Sequence, residues 1–494
     1  MKRQAFNPYL PSWEYVPDGE PRVFGDRVYV YGSHDAFGAP IFCVNDYVCW
    51  SAPVNDLSDW RCEGVIYKRK QDPQNKLGIR ALYAPDAVQG PDGRYYLYYA
   101  FDFLGRMGVA VCDTPAGKYE FYGHVHFKDG HVWGTKSGEP FAFDPGVLAD
   151  ADGRIYLFSG FAVKVPRPAS RWHNLTNEGG VMLELERDMV TIKAGPKLLF
   201  PVKGKDGCFE HHAFFEASSI RNVDGRYCFV YSSQHNHELC YAAADKPEGP
   251  YEYGGTLVDL GDLYLNGNED ESRAVNYLGN THGGMAEIGG EWYIFYHRHT
   301  NRSSYARQAC AEKLERTKDG GFRQAEVTSC GLNPGPLRGV GSYEARIACN
   351  LWSAEGAGRY DCGLPKLRFR NHPYFTQTGG DRERDGDQYI ANMRNGAAAG
   401  FKYFWIDGAD AICVEVRGRA DGNMQVSAYP DFREISADIP IRLTAGRGGV
   451  FTGAFHMEPG KRALYIRYLG EGAVDFIRFE LKCSGQGHIA GDTA

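Results

Sequence analysis

Short runs of aromatic and β-branched residues, each following a tight turn, recur along the first two thirds of the chain. The stretch from Phe214 to Ser232 reads as two short strands joined by an Asp224-Gly225 turn. This arrangement is typical of a β-hairpin. Five hairpins of this kind follow one another, with equivalent tyrosines roughly 60 to 70 residues apart. These tyrosines are Tyr29, Tyr96, Tyr156, Tyr227 and Tyr293.

The distance between hairpins leaves room for two further strands in each unit, which predicts a four-stranded sheet five times over. Sheets repeated radially form a β-propeller, which has ~4–8 blades. A series of separate hairpin domains also fits the spacing, but gives no reason for a polar residue to recur at one position. We therefore expect an all-β fold that begins with a five-bladed β-propeller.

A polar residue does recur at one position of every hairpin, although acidic residues are depleted in strands. It precedes the tyrosine by 10 to 12 residues. The five residues are Asp18, Asp86, Asp144, Glu216 and His282. Equivalent positions of the innermost strands converge on one end of a propeller axis, so these side chains are expected to face a single small space. Any one acidic residue alone is equally well explained as a turn cap beside proline, but five coincident positions favour a shared site.

Converging carboxylates raise one another's pKa, so that one carboxyl group can stay protonated while others are ionised. Two such groups on opposite sides of a pocket are the minimum requirement for glycoside hydrolysis. The five positions therefore predict acid–base chemistry on a sugar.

The pattern changes after a connector rich in proline and glycine that begins at Cys330. Alternating runs around residues 411–417, 424–429, 462–468 and 474–480 predict short strands of a jelly-roll-like β-sandwich. We predict a propeller over residues 1–335, a β-sandwich over 336–484 and a flexible tail over 485–494.

Composition and charge exclude several classes of protein. The 494 residues include 61 glycines and 14% aromatics, which suits many short strands, and the net charge of −7 argues against nucleic-acid binding. The 13 cysteines are scattered without Cys-x-x-Cys pairs, which favours reduced thiols and disfavours zinc. The first residues carry no apolar signal segment, and no run approaches the ~20 apolar residues of a membrane span. We expect a cytoplasmic protein without membrane or nucleic-acid partners.

Over roughly residues 5 to 335 the chain resembles glycoside hydrolase family 43, a family of five-bladed propellers that act on arabinose- and xylose-containing glycans. The contexts of three acids carry the resemblance. Asp18 lies before Pro-Arg-Val-Phe, Asp144 lies in Phe-Asp-Pro, and Glu216 follows Phe215. The family commonly has proline directly after the first acid, whereas Gly19 and Glu20 follow here. Glu20 is therefore a rival to Asp18, and the hairpin register favours Asp18.

The resemblance implies an inverting mechanism. Asp18 is then the general base that deprotonates a water, and Glu216 is the general acid that protonates the leaving oxygen. Asp144 orients Glu216 and raises its pKa. The two carboxyls of an inverting pair stand roughly 6.5–9.5 Å apart. No cofactor is needed for this chemistry.

Further site residues follow from the same resemblance. Arg298 corresponds to the arginine that reaches the sugar, with a surface salt bridge as its alternative. Weaker candidates near the same mouth are Asp86, His34, Asp35 and His235, together with Phe103, Trp133 and Phe161 as a stacking wall. Core packing explains these aromatics equally well. His282 implies a structural or activating calcium ion held through water. Calcium prefers oxygen ligands, so a histidine satisfied by hydrogen bonds stays open as the alternative.

Two long polar segments, residues 68–79 and 163–179, are expected to wall the pocket and make the enzyme exo-acting. The predicted substrate is an oligosaccharide from arabinoxylan or xylan, and the released sugar is α-L-arabinofuranose, β-D-xylose or both. An arabinanase of the same fold and a non-catalytic sugar-binding propeller remain alternatives. The last third resembles family 6 carbohydrate-binding modules at Glu344-Ala345 and Asp475-Phe476. Gly448 to Phe451 replace the usual tryptophan region, so a packing domain is the competing interpretation. The sequence predicts no oligomeric state.

Overall fold

The computed structural model describes residues 3–203, 209, 211–360, 369–383 and 386–483, without the side chains of residues 266 and 445. The predicted flexible tail at 485–494 lies outside the described residues. The described chain is almost entirely β, as predicted. Its helices are short 3₁₀ turns at Arg69–Gln71, Pro73–Asn75, Leu265–Gly267, Glu271–Arg273 and Ala345–Ile347. None of the helices in these ranges has the length and apolar character that would let it span a membrane.

The first four blades are antiparallel sheets of four strands joined in chain order. Blade one has β1 (Glu20–Phe24), β2 (Arg27–Tyr31), β3 (Tyr47–Pro53) and β4 (Arg61–Tyr67). Blade two has β5 (Leu82–Gln89), β6 (Tyr95–Phe101), β7 (Met107–Cys112) and β8 (Glu120–His124). Blade three has β9 (Gly146–Ala149), β10 (Ile155–Ser159), β11 (Gly179–Leu185) and β12 (Ile192–Pro201). Blade four has β13 (Phe214–Val223), β14 (Arg226–Ser233), β15 (Leu239–Ala244) and β16 (Glu252–Val258).

The fifth blade differs from the prediction, because its sheet has three strands among the described residues. These are β17 (Met285–Ile288), β18 (Glu291–Thr300) and β19 (Ser303–Leu314). The N-terminal segment lies along the outer side of β19. The Tyr9 amide donates to the Ala309 carbonyl at 3.2 Å, and Asn7 Nδ2 donates to the Ala311 carbonyl at 2.9 Å. The first residues of the chain therefore cover the edge where a fourth strand was expected.

The first strand of each blade lies at the axis. Each of β1, β5, β9, β13 and β17 contacts the first strands of both neighbouring blades, and the contact between β1 and β17 closes the ring. A bridge between Gly19 and Gly283 lies at the closure. A Cβ at Gly283 would come within 1.9 Å of the Phe295 carbonyl in β18. The backbone at residue 283 can therefore lie this close to β18 only because the residue is glycine.

Aromatic and β-branched side chains of the middle strands fill the spaces between blades. Tyr98 and Leu157 belong to one fully buried cluster between blades two and three. Phe158 and Phe229 pack with ring centroids 5.5 Å apart between blades three and four. Burial of these faces fixes the angle between the blades and hence the positions of the inner strands.

The C-terminal region is rich in sheet, as predicted. Nine strands among its described residues are hydrogen-bonded together, and the three long ones bring hydrophobic residues into one buried core. They are β20 (Leu337–Arg338), β21 (Gly341–Glu344), β22 (Asn350–Trp352), β23 (Tyr374–Gln377), β24 (Gln388–Met393), β25 (Ala398–Ile406), β26 (Ala411–Ser427), β27 (Ala437–Ala454) and β28 (Gly460–Lys482). The domain boundary expected after residue 335 falls in the connection between β19 and β20 and stays a prediction.

Buried polar contacts join this region to the propeller. Lys402 is 2% exposed, and its ammonium contacts Asp262 at 3.0 Å and Glu326 at 2.9 Å. The Asp381 carboxylate accepts from the Phe37 amide at 2.7 Å. Since unpaired buried charges are costly, these contacts hold the two regions in a defined arrangement.

Candidate active site

A cavity of about 200 Å³ opens on the propeller axis, where four of the five recurring polar residues meet. They are Asp18, Asp144, Glu216 and His282. The volume is below the ~300–1,000 Å³ of sites for drug-sized ligands and suits a single sugar ring. The structure therefore brings together the three acids that the sequence singled out.

The backbone is strained at two of the acids and directly after the third. Asp18 has φ of 57°, Asp144 has φ of 46°, and Ala217, which follows Glu216, has φ of 70°. Left-handed conformations are unfavourable for residues other than glycine and concentrate at functional sites. The pairing of β13 with β14 also shifts register on both sides of Glu216. Such a bulge redirects a side chain, which explains how an acidic residue within a strand faces the cavity.

Arg307 holds Asp18 in place. Its Nη1 donates to Asp18 Oδ1 at 2.8 Å, and its Nε and Nη2 donate to the two Asp35 oxygens at 2.8 and 3.0 Å. Burial alone would lower the pKa of Arg307, but Asp18 and Asp35 raise it well above its usual value. Asp35 was predicted to bind substrate. It is 1% exposed and anchors the arginine instead.

His297 also contacts Asp18, with 3.3 Å between Nδ1 and Oδ1. Burial lowers the pKa of His297 well below its usual value, so the ring is neutral at neutral pH. Its Nε2 lies 2.8 Å from the Asn280 carbonyl. The histidine therefore helps to orient Asp18 without adding charge.

Glu216 and Asp144 both have a raised pKa. Burial, followed by the charge of Asp18, raises the pKa of Glu216 to about 8. Burial, Glu216 and Asp18 raise the pKa of Asp144 well above its usual value. Two close carboxyls titrate as a pair. This pair keeps a proton at neutral pH, which a general acid requires.

Asp144 is hydrogen-bonded on one oxygen. Its Oδ2 accepts from the Ala217 amide at 3.1 Å and lies 3.4 Å from His282 Nδ1. Burial lowers the pKa of His282 to about 4, so its imidazole is neutral. The Ala217 amide that donates to Asp144 Oδ2 favours the ionised form of Asp144.

Aromatic side chains form one wall of the cavity. Tyr83, Phe143 and Phe161 line it together with Phe103, which is 40% exposed, and Phe215. The ring centroids of Phe143 and Phe161 are 4.9 Å apart. The structure thus brings Phe103 and Phe161 to the cavity as expected from the sequence. Trp133, named with them, is fully buried between blades two and three.

Asp86 and Glu20 do not line the cavity. They lie together near the axis with two arginines. Asp86 is completely buried and accepts from Arg22 at 2.9 Å and from the Val147 amide at 2.7 Å. Glu20 Oε1 accepts from Arg221 at 2.5 Å. Both carboxylates are occupied by structural partners, so the geometry favours Asp18 over its rival Glu20 and gives no support to a substrate contact from Asp86.

Three other predicted binding residues also lie outside the cavity lining. Arg298 is 5% exposed, donates to the Ala348 carbonyl at 3.0 Å and lies 3.8 Å from the centroid of Phe375. His34 lies 3.0 Å from Glu14 Oε1. His235 is exposed. Arg298 is thus part of the contact with the C-terminal region, and these three roles gain no support from the geometry.

The sequence interpretation missed Arg307, His237 and Asn280, which line the cavity. A signal for Arg307 was present, since a single arginine stands among small residues in the run Ala-Arg-Gln-Ala-Cys-Ala. A charged residue inside an otherwise buried strand requires a buried partner. His237 and Asn280 lie in loops and carry no comparable signal.

The surroundings of His282 do not fit a protein-ligated calcium ion. Its near partner is Asp144, and it shares the cavity with Glu216 and with Asp18, which is paired with Arg307. The carboxylates of Glu20 and Asp86 are paired with other arginines. Calcium takes 6–8 oxygen ligands. Within the described ranges, the one group of three closely spaced histidine, cysteine or acidic ligands lies elsewhere, at His212, Glu238 and Cys240.

A larger cavity of about 820 Å³ lies in the C-terminal region. Two of its tyrosines have a cation against the ring, because Arg433 lies 3.4 Å from the centroid of Tyr429 and Lys461 lies 4.2 Å from that of Tyr403. Sugar rings stack on aromatic faces, and here a cation occupies one face of each ring. This cavity therefore lacks the chemical character of the cavity on the propeller axis.

Comparison with known proteins gives a consistent result. The model of the glycosyl hydrolases family 43 matches residues 15–322. A xylosidase/arabinosidase of Thermoclostridium stercorarium is 45% identical over 487 residues, which cover 97% of this chain and 99% of that protein. A xylosidase/arabinosidase of Bacteroides ovatus is 28% identical and aligns with 58% of this chain and 87% of its own length.

Solved structures share the fold. An arabinoxylan arabinofuranohydrolase of Bacillus subtilis, solved with cellotetraose, has a TM-score of 0.50 and 18% identity, and covers 95% of this chain and 96% of its own. A β-xylosidase/α-arabinofuranosidase from a compost metagenome, solved with xylotriose in a calcium-free form, has a TM-score of 0.50 and 25% identity. It covers 66% of this chain and 98% of its own. The first of these similarities extends through the C-terminal region.

Proposed function

Since the chain belongs to glycoside hydrolase family 43, we propose that it is an exo-acting, inverting glycosidase that releases terminal or side-chain pentoses. The observation that carries the proposal is the cavity of about 200 Å³ in which Asp18, Asp144 and Glu216 meet. Asp18, fixed by Arg307, is the general base that activates a water. Glu216 is the general acid, and Asp144 positions it.

The proton of the carboxyl pair belongs on Glu216. Asp144 Oδ2 accepts from the Ala217 amide, and this donor favours its ionised form. An ionised Asp144 keeps the proton on its neighbour, so Glu216 can donate it to the leaving oxygen. Asp18 accepts a hydrogen bond from Arg307, which fixes the orientation of the carboxyl that accepts a proton from water.

Exo action follows from the size of the cavity and from the two segments beside it. The Ala162 amide donates to the Phe215 carbonyl at 2.8 Å, so segment 163–179 starts at the rim beside Glu216. Arg80 Nη2 donates to the Ala169 carbonyl at 2.9 Å, and Arg171 Nη2 donates to the Gln74 carbonyl at 3.3 Å. These bonds join segment 163–179 to segment 68–79. A joined wall suits a chain end or a side-chain sugar better than the middle of a long glycan.

We propose oligosaccharides derived from arabinoxylan or xylan as substrates, and α-L-arabinofuranose, β-D-xylose or both as the released sugar. The names of the relatives from Thermoclostridium stercorarium and Bacteroides ovatus support this class. An endo-arabinanase, the activity named for a 24% identical Bacillus subtilis relative, would need an open cleft in place of the joined wall. The cytoplasmic location stays a prediction from the sequence.

The test is hydrolysis of an arabinoxylo-oligosaccharide and of 4-nitrophenyl α-L-arabinofuranoside and β-D-xyloside by wild type and Glu216→Gln. General acid catalysis contributes about 10²–10⁴-fold, so the variant should lose that factor in kcat on the oligosaccharide. It should lose less on the aryl glycosides, whose leaving groups need less protonation. Glu287→Gln, an exposed glutamate of β17, is the matched control and should match wild type.

A wild type inactive on all three substrates would contradict the assigned substrate class. Equal loss by Glu216→Gln on all of them would contradict the role of Glu216 as the acid. The anomer first released, observed by proton NMR, tests inversion separately, since a retained configuration would require a nucleophile in place of a base.

A further inference from the structure

A second group of chemically reactive side chains lies in blade four, outside the cavity lining. His212 Nδ1 is 2.6 Å from Glu238 Oε1. Cys240 Sγ is 3.3 Å from the same oxygen and 3.8 Å from His212 Nδ1. Glu238 is 1% exposed and Cys240 is fully buried, whereas His212 is partly exposed. Three different metal-binding atoms thus meet at a point that solvent reaches from the histidine side.

The triangle of ligand atoms has nearly the dimensions of one face of a tetrahedral zinc site. Zinc–sulfur bonds of ~2.3 Å and zinc–nitrogen bonds of ~2.0–2.1 Å separate neighbouring ligand atoms by roughly 3.3–3.6 Å. The two distances from Cys240 Sγ are 3.3 and 3.8 Å. The distance between His212 and Glu238 must open by roughly 0.7 Å to match the tetrahedral value.

We propose that His212, Glu238 and Cys240 bind a zinc ion, with water in the fourth position. The ligands come from separate parts of the chain, since His212 precedes β13 while Glu238 and Cys240 stand two positions apart at the start of β15. Cysteine spacing along the sequence therefore gives no sign of the site. The site is independent of the proposed glycosidase activity.

Charge and proton balance are favourable for this ion. Binding breaks the sulfur–hydrogen bond of Cys240, releases that proton to solvent and forms a zinc–sulfur bond. In the metal-free chain His212 Nδ1 donates to Glu238 Oε1, so metal binding through Nδ1 requires this proton to pass to solvent while Nε2 takes one up, which leaves a neutral imidazole protonated on Nε2. One thiolate and one carboxylate neutralise the two charges of the ion, so the occupied site is neutral. Without metal, burial raises the pKa of the Cys240 thiol well above its usual value, which keeps the thiol protonated and bonded to Glu238.

Neighbouring groups support the ligands. The ring of Tyr253 stacks on that of His212 with centroids 4.7 Å apart and an angle of 8° between planes. The Tyr231 hydroxyl donates to the His212 carbonyl at 2.7 Å. Ser233 Oγ donates to the second oxygen of Glu238 at 2.7 Å. Such contacts fix the orientation of the ligand side chains, so these side chains lose little conformational entropy when the ion binds.

The position of the site gives it a structural consequence. His212 lies four residues before Glu216, and Glu238 directly follows His237, whose ring is 4.5 Å from that of Phe215. A metal ion would tie the start of β13 to the start of β15 beside the cavity. We therefore expect binding to stabilise blade four.

The experiment is titration of the metal-free full chain with Co²⁺, a coloured substitute for zinc. We expect one equivalent to bind with an ultraviolet thiolate-to-cobalt charge-transfer band and visible bands of a tetrahedral ion, both displaced by Zn²⁺. Cys240→Ser should lose the charge-transfer band. Cys228→Ser is the control, because Cys228 is also buried in blade four but lies outside the cluster, and it should keep the band.

A missing charge-transfer band in wild type, or a band that persists in Cys240→Ser, would overturn the proposal. If Cys240→Ser does not fold, His212→Gln provides the test. It should raise the dissociation constant for Co²⁺ at least tenfold, and an unchanged constant would contradict the site. Zn²⁺ should also raise the Tm of wild type by several degrees and that of His212→Gln by less; an equal rise in both would count against these ligands.

Discussion

Two groups of buried carboxyls lie near the propeller axis, and they differ in how their charges are balanced. Asp18, Asp144 and Glu216 line the cavity together with Arg307. This arginine donates hydrogen bonds to Asp18 and to Asp35. In the group outside the cavity, Glu20 and Asp86 have Arg22 and Arg221 as partners. One group has an excess of acids, whereas the other is matched acid for base.

The difference shows what turns a repeated acidic position into a reactive one. Burial, followed by the charge of Asp18, raises the pKa of Glu216 to about 8 and leaves a proton available for transfer. In the paired group burial also raises the pKa of Glu20, but Arg221 and Arg22 oppose the rise and bind the carboxylates in ion pairs. The cavity group is therefore expected to determine rate, and the paired group is expected to determine stability.

The largest effect should come from Asp18→Asn. Removal of the general base should lower kcat by about 10²–10⁴-fold on natural and aryl substrates alike, because attack by water needs the base whatever the leaving group. Steady-state kinetics on both substrate types measures this. A loss restricted to the oligosaccharide would instead make Asp18 an acid. Asp26→Asn, on the β1–β2 turn, is the control and should match wild type.

Arg22→Met should affect stability far more than rate. It leaves the fully buried Asp86 carboxylate without its charged partner, which costs about 3–5 kcal/mol in free energy of unfolding. Urea unfolding measures the loss, and kcat of the folded enzyme should stay within about threefold of wild type. Arg94→Met, which breaks an exposed pair with Asp92, should cost far less in free energy of unfolding. Equal losses in the two variants would remove the distinction between the groups.

Glu216→Gln should stabilise the fold at alkaline pH. The folded state raises the pKa of Glu216 from 4.5 to about 8, so it holds a proton that the unfolded chain releases. Stability at this site is therefore lost as pH rises from 4.5 to about 8. The amide has no such loss, and we expect a gain of about 1–2 kcal/mol at pH 9 that shrinks towards pH 5. Urea unfolding at both pH values measures it, and a gain independent of pH would contradict the shifted pKa.

The smallest effect should come from removal of calcium. The carboxylates near His282 are paired with arginines or hydrogen-bonded, so we expect a chelator selective for calcium to change kcat/KM by less than about twofold. Readdition of Ca²⁺ should have no larger effect. A loss of tenfold or more that Ca²⁺ restores would show that the axis holds a cation despite its donor set.

The sequence predicted the propeller and the meeting of three acids because both follow from periodicity. A repeat fixes which strand a residue belongs to, but not how deep along the axis it lies. Glu216 pairs with Ser232, five positions after Tyr227 of its hairpin, whereas Asp86 pairs with Tyr98, two positions after Tyr96. A shift of a few residues therefore moved one carboxylate out of the cavity.

Strand parity explains why Arg298 was chosen and Arg307 was missed. The residues opposite each other on β18 and β19 are Arg298 with Gln308 and His299 with Arg307. Opposite residues share a face of the sheet, and adjacent ones point to opposite faces. Arg298 therefore faces Ala348 and Phe375, and Arg307 faces the cavity. Which face belongs to the site depends on the packing of the blade, and local sequence does not contain that information.

The N-terminal segment beside β19 has a consequence for synthesis of the protein. Asn7 and its partner Ala311 are 304 positions apart. At ~5–20 residues per second a ribosome needs about 15–60 s to make the intervening chain. During that time the first ten residues have no edge to cover, and the ring cannot close. Closure is therefore a late step on the ribosome.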